Sequence, residues 1–191
     1  MTRVCLVGAD DVNLRYELLS RETARDALAT YDLREPFENT VGLATVSLGA
    51  AVALLNDLNW YLVRFVDEAM VLEPSVSETE WLSRDLATAV RDDTVEPDEI
   101  DRFCKIYGLE PANVDDSDGG KPDGDDFDGD GPDGTERGGV AEGDDRTDST
   151  GPGRLVEPMY VTRTGGSVPD YDLRDVEETV VERVTKSEFE G

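Results

Sequence analysis

Histidine is absent from these 191 residues, lysine occurs only at positions 105, 121 and 186, and cysteine only at Cys5 and Cys104. Each scarcity removes a class of chemistry. Without histidine the chain has no ordinary general base near neutrality, lacks the commonest zinc ligand, and can form no Ser-His or Cys-His nucleophile pair. Two distant cysteines make neither a disulfide framework nor a zinc knuckle. Both lie in apolar stretches, where a free thiol is expected to be buried. Long apolar runs are missing too. The longest, Leu48 to Leu55, has 8 residues, against roughly 20 for a bilayer span. Met1-Thr2-Arg3 leads straight into Val4 without a secretory leader. The expectation is a cytoplasmic protein with no membrane association. Neither G-x-G-x-x-G nor G-x-x-x-x-G-K-S/T occurs, so no phosphate cradle and no cofactor are expected.

What the chain does have is acid. Asp and Glu number 45 against 18 Lys and Arg, a formal net charge of −27. At ordinary ionic strength such a chain repels itself and its compact state suffers. At molar salt the Debye length falls to about 3 Å and the repulsion is screened. The balance therefore points to a salt-rich cytoplasm. The charge is unevenly spread, with −12 in residues 1–111, −11 in 112–153 and −4 in 154–191. Residues 112–153 hold 12 Asp and 11 Gly and almost nothing to bury, so they are expected to form a disordered linker. Residues 1–111 read as the main domain. Residues 154–191 read as a strand and tail returning to it.

Val4 to Val7 reads as a buried strand ended by Gly8-Ala9-Asp10-Asp11. Leu14 to Leu19 is open between a strand and a helical turn. Ser20 is a candidate N-cap for a helix over 21–31, and Ser47 for an apolar helix over 48–59. Trp60 to Val66 and Ala69 to Leu72 are rich in β-branched and aromatic residues around Asp67-Glu68, which predicts a hairpin. Ser77-Glu78-Thr79-Glu80 has the form of a capping box and predicts a helix over 78–91. Pro97, the spacing of Ile100, Phe103, Cys104 and Tyr107, and Gly108 as terminator predict a helix over 97–107. Leu155 to Thr162 reads as a strand, and Pro158 within it calls for an edge or a bulge. For 172–185, Val176, Val180 and Val184 favour a helix over the strand suggested by Thr179-Val180-Val181. The fold class is α+β: a small mixed sheet from strands near 3–8, 60–66, 69–73 and 155–162, packed by three to four helices and interrupted by an acidic insertion.

Few motifs carry chemistry. Asp126 to Gly131 opens like a calcium loop, but its twelfth position is Arg137 rather than a bidentate Glu. A solvated acidic loop explains it better. Asp10, Asp11 and Asp67 follow apolar strands in the manner of a phospho-accepting receiver, and three such carboxylates are weak candidates for a Mg²⁺ site. The receiver's lysine at the end of a last strand is missing, so turn residues on an acidic surface are the simpler account. Residues 78–107 carry 9 acids and 4 bases, which opposes phosphate contact and argues against a nucleic-acid partner. The pattern x-x-Glu-Pro at 33–36, 71–74 and 155–158 lacks the length of a repeat and fits strand ends.

The block Thr2-Arg3-Val4-Cys5-Leu6-Val7-Gly8, the run Leu54 to Phe65, Glu80-Trp81-Leu82-Ser83-Arg84 and Val156 to Arg163 resemble an uncharacterised domain family of halophilic archaea. The resemblance implies a source in salt, with the acidic segment as an insertion, and implies no activity or site residue. The sequence reads as a non-enzymatic interaction or regulatory domain with an unidentified protein partner and no catalytic or cofactor-binding residues. The alternative is a Mg²⁺-dependent carboxylate enzyme acting on a phosphorylated or nucleotide substrate through Asp10, Asp11 and Asp67.

Overall fold

The computed structural model describes residues 1–112 and 151–191. Seven strands and six helices follow in the order β1 (Thr2–Gly8), α1 (Leu14–Ser20), α2 (Glu22–Leu28), β2 (Thr40–Thr45), α3 (Leu48–Asp57), α4 (Asn59–Phe65), β3 (Val66–Leu72), β4 (Trp81–Ser83), α5 (Arg84–Arg91), β5 (Phe103–Glu110), β6 (Arg154–Thr162), β7 (Glu178–Val184) and α6 (Lys186–Glu190). The strands form a single mixed sheet ordered β2-β1-β3-β4-β7-β5-β6. Every pairing is antiparallel except β4 with β7. The α+β class holds, and β6 and β7 join the same sheet as β1 to β5.

Alternation sorts the side chains onto two faces. Val4, Leu6, Ala69, Val71 and Leu82 pack against Leu14, Leu18, Leu28, Val52, Leu55, Leu58, Leu62 and Leu86 of helices α1 to α5. That layer is the principal core. The other face gathers Cys5, Met70, Leu72, Trp81, Tyr107 and Val180, with Val7, Phe37 and Leu155 against them. Cys5 on β1 and Tyr107 on β5 share this cluster although three strands separate them, so the sheet curls around it. The curl nearly closes: the Glu38 N–H, just before β2, donates to the Gly153 carbonyl, just before β6, at 2.9 Å. Opposite edges of the sheet thus meet, and the second face becomes a concave chamber.

Several expectations need correction. Residues 60–65 lie in helix α4 rather than a strand, and only Val66 opens β3, because Leu58 and Leu62, four apart, both bury into the core. No hairpin turns at Asp67-Glu68; β3 runs through both residues. Ser77 accepts from the Thr79 and Glu80 N–H groups, yet β4 follows it. The helix begins only at Arg84, capped by Ser83 through the Leu86 N–H. Residues 97–107 are not a helix: Phe103, Cys104, Ile106 and Tyr107 are buried, but on the two faces of β5, and Gly108 lies within that strand. The tail is strand β7, with Val180, Glu182 and Val184 inward. Leu14 to Leu19 is helical, and α2 is capped by the Arg21 backbone rather than Ser20. Pro158 does lie on an edge strand, next to a break in register and to Glu157 at φ 22°. The Asp126 calcium-loop reading lies outside the described residues.

Candidate functional site

Site geometry begins in the turn after β1. Asn39, itself at φ 54°, donates from Nδ2 to the carbonyls of Ala9 and Val12 and accepts the Leu14 N–H on Oδ1. A Cβ on Gly8 would stand 2.6 Å from that Nδ2 and 2.8 Å from the Leu14 Cβ, so glycine is required there for the turn to close on Asn39. This clasp fixes Asp10 and Asp11 at the rim of the chamber. A cavity of about 420 Å³ opens there between β1, β3, β5 and β6, lined by Asp10, Asp67, Glu68, Lys105, Tyr107, Glu110, Arg154, Glu157 and Arg174 above an apolar floor of Val7, Leu155 and Val156. Asp11 lines a neighbouring cavity of about 500 Å³ with Asp10, Arg15, Glu35 and Glu38. The structure therefore brings Asp10 and Asp67 to one cavity and leaves Asp11 beside it. Among the described residues no three Asp, Glu or Cys side chains are grouped as metal ligands.

The cations of this cavity are already engaged. Arg154 lies 3.6 Å from Asp10, and Arg174 bridges Glu110 at 2.8 Å and Glu157 at 3.1 Å. Lys105 is salt-bridged to Glu68, whose Oε2 also accepts from the Tyr107 hydroxyl at 3.3 Å. This contact joins β3 to β5 across two intervening strands and exists only because the sheet curls.

Behind Lys105 lies the least expected residue. Glu182 stands opposite Lys105 in the β5–β7 register and opposite Trp81 in the β4–β7 register. It is 0% exposed, and neither carboxylate oxygen receives a hydrogen bond. An ionised carboxylate in such a place would lack both water and hydrogen-bond donors. Burial pushes its pKa well above the ordinary value; Glu68 and Glu188 push the same way, and Lys105 opposes them without prevailing. As the neutral acid, Glu182 has an O–H to donate toward Glu68. The surroundings follow the same logic. Burial, then Glu182 and Glu68, raise Tyr107. Burial pulls Lys105 down, but the Glu68 charge and hydrogen bond outweigh it and hold the ammonium up. The Cys5 thiol is pushed up to about 12, chiefly by burial, so it stays a neutral thiol.

The opposite face of the same strands holds a second polar cluster. Glu80 accepts from Arg163 at 2.6 Å on one oxygen and from Arg183 on the other. Cys104 lies 3.8 Å from the Arg163 guanidinium. Burial alone would raise Glu80, yet the two arginine hydrogen bonds together hold it below its ordinary value.

Sequence reasoning passed over Glu68, Lys105 and Glu182, treating them as a turn, a helix and a tail. The usable signal was Val180-x-Glu182-x-Val184, an acid at the strand period between two inward valines. No helix among the described residues is long and apolar enough to cross a membrane. No curated protein and no solved structure matches the chain. Residues 2–109, from β1 through nearly all of β5, match the model of a family of unknown function, DUF5804, and the chain belongs to that family.

Proposed function

We propose that the protein is a non-enzymatic interaction or regulatory domain that binds a protein partner in a salt-rich cytoplasm of haloarchaeal type. The observation that carries this reading is the outer strip of α4, where Trp60 is 49% and Val63 75% exposed. The Arg64 guanidinium stacks 3.8 Å from the Trp60 ring centroid, and Trp60 also meets Phe65 edge-on. At molar salt, ion pairs on a surface are screened within about 3 Å. A partner must then be held by apolar and stacked contacts, which such a strip supplies. The concave cavity supports the same reading from the other side, since its cations are spent on its own carboxylates.

Affinity purification from source cells in molar KCl tests this. A partner retained by the wild type should be lost or weakened about tenfold or more by Trp60→Ala or Val63→Asp, the effect of removing an interface anchor. Thermal stability should stay within about 0.5 kcal/mol, as for surface changes. Equal retention by both variants would refute the role of α4.

The Mg²⁺-dependent alternative draws on Asp10 and Asp67 sharing one cavity. It requires calorimetric Mg²⁺ binding that disappears in Asp10→Asn and Asp67→Asn.

A further inference from the structure

The C-terminal helix α6 covers one end of the concave chamber with few fastenings. None of its residues is fully buried. Phe189 packs on Phe103 with ring centroids 4.9 Å apart and meets Tyr160 at 6.4 Å. The Ser83 hydroxyl donates to Glu188 at 2.7 Å, while Glu188 also completes a capping box with Thr185. Thr185 directly follows β7, so the strand that carries Glu182 leads straight into this helix. Glu188 is near enough to Glu182 for the two charges to be felt.

We propose that Glu182 works as a proton-operated latch: while its carboxyl keeps its proton α6 stays seated on the sheet, and loss of that proton releases α6. The groups facing Glu182 come from every element around it: Glu68 on β3, Lys105 and Tyr107 on β5, Glu188 on α6 and Cys5 on β1. Lys105 is the single cation among these, and it is committed to Glu68. A neutral Glu182 leaves Glu68 and Lys105 beside it as a matched ion pair, with Glu188 tied to Ser83. An ionised Glu182 adds a second buried anion that lacks a donor and repels both Glu68 and Glu188. Because α6 is the lightly fastened neighbour, releasing it is the cheapest way to let water reach the charge. The proton passes to the water that the release of α6 admits. The sign is fixed by linkage. The open state binds fewer protons than the closed one, so opening is favoured as pH rises above the ordinary carboxyl value of 4.5.

Release of α6 would uncover Phe103 and part of Tyr160. The latch does not depend on the α4 strip or on any partner.

Hydrogen exchange on the full chain tests it at the amides of Glu188 and Phe189, which bond to Thr185 in the closed state. After division by the intrinsic hydroxide-catalysed rate, the wild type should show opening that rises by up to about tenfold per pH unit, the slope of one linked proton. Glu182→Gln should remove that slope and keep α6 protected across the same range. Glu188→Gln preserves the capping box, since glutamine serves there as well, and should keep the slope but end the rise at a lower pH, because Glu182 loses one of the charges that hold it up. The same pH dependence in the wild type and both variants would overturn the latch.

Discussion

Leu82→Ala should destabilise the protein by about 3–5 kcal/mol, the range of deeply buried leucine truncations. Leu82 is 0% exposed and sits in a strand of only three residues, β4. That strand joins the two halves of the sheet, antiparallel to β3 on one side and parallel to β7 on the other. The Leu82 side chain packs into the helical core with Leu86 and Ala87. A cavity there is poorly filled, because strands on both sides fix the backbone. Leu173→Ala, at a residue 47% exposed, should stay within about 0.5 kcal/mol. Chemical denaturation in molar KCl measures both, and equal small losses would mean that β4 does not anchor the sheet.

Glu80→Ala should cost about as much, roughly 3–5 kcal/mol, for a different reason: it strands two arginines. Arg163 and Arg183 each have side chains 13% exposed around a Glu80 that is 17% exposed. Removing the acid leaves two desolvated cations facing each other, and Arg163 already has one buried nitrogen without a partner. The pH dependence follows from the lowered carboxyl. A group whose folded pKa is depressed stabilises above its unfolded value and loses that contribution as pH falls through the folded one. The wild type should therefore lose stability below the ordinary value of 4.5 more steeply than Glu80→Ala does. The exposed pair Arg34–Asp32, with side chains 79% and 81% exposed, should contribute almost nothing by comparison. Denaturation midpoints measured across the acid range would show it; identical acid limbs would place Glu80 outside the stabilising network.

Where local chemistry and packing agreed, the sequence was readable. Val4 to Val7 is an unbroken apolar run and became the buried strand β1, and Ser47 caps α3 by accepting the Ala50 N–H. The errors came where two periods were satisfied at once. Phe103, Cys104 and Tyr107 fit a helical spacing, but Phe103, Lys105 and Tyr107 on one side and Cys104 and Ile106 on the other fit a strand buried on both faces. The packing of β5 between β7 and β6 decided it. Trp60 to Val66 had strand composition, and burial of Leu62 against the core made all but Val66 a helix, as tertiary context overrides propensity. The chamber was illegible for another reason. Lys105 and Glu182 meet as partners on adjacent strands far apart in sequence, and Glu68 joins them only because the sheet bends until its edges touch. No local pattern encodes that bend.

The curled sheet encloses one carboxyl, Glu182, that burial holds well above the ordinary carboxylate range. Carbon-13 NMR of glutamate side-chain carboxyls, followed from acid to alkaline pH in molar KCl, measures it directly. One resonance should remain protonated well above the ordinary value of 4.5, and should vanish from the spectrum of Glu182→Gln. Titration of every glutamate near the ordinary value, with nothing displaced in that variant, would contradict it.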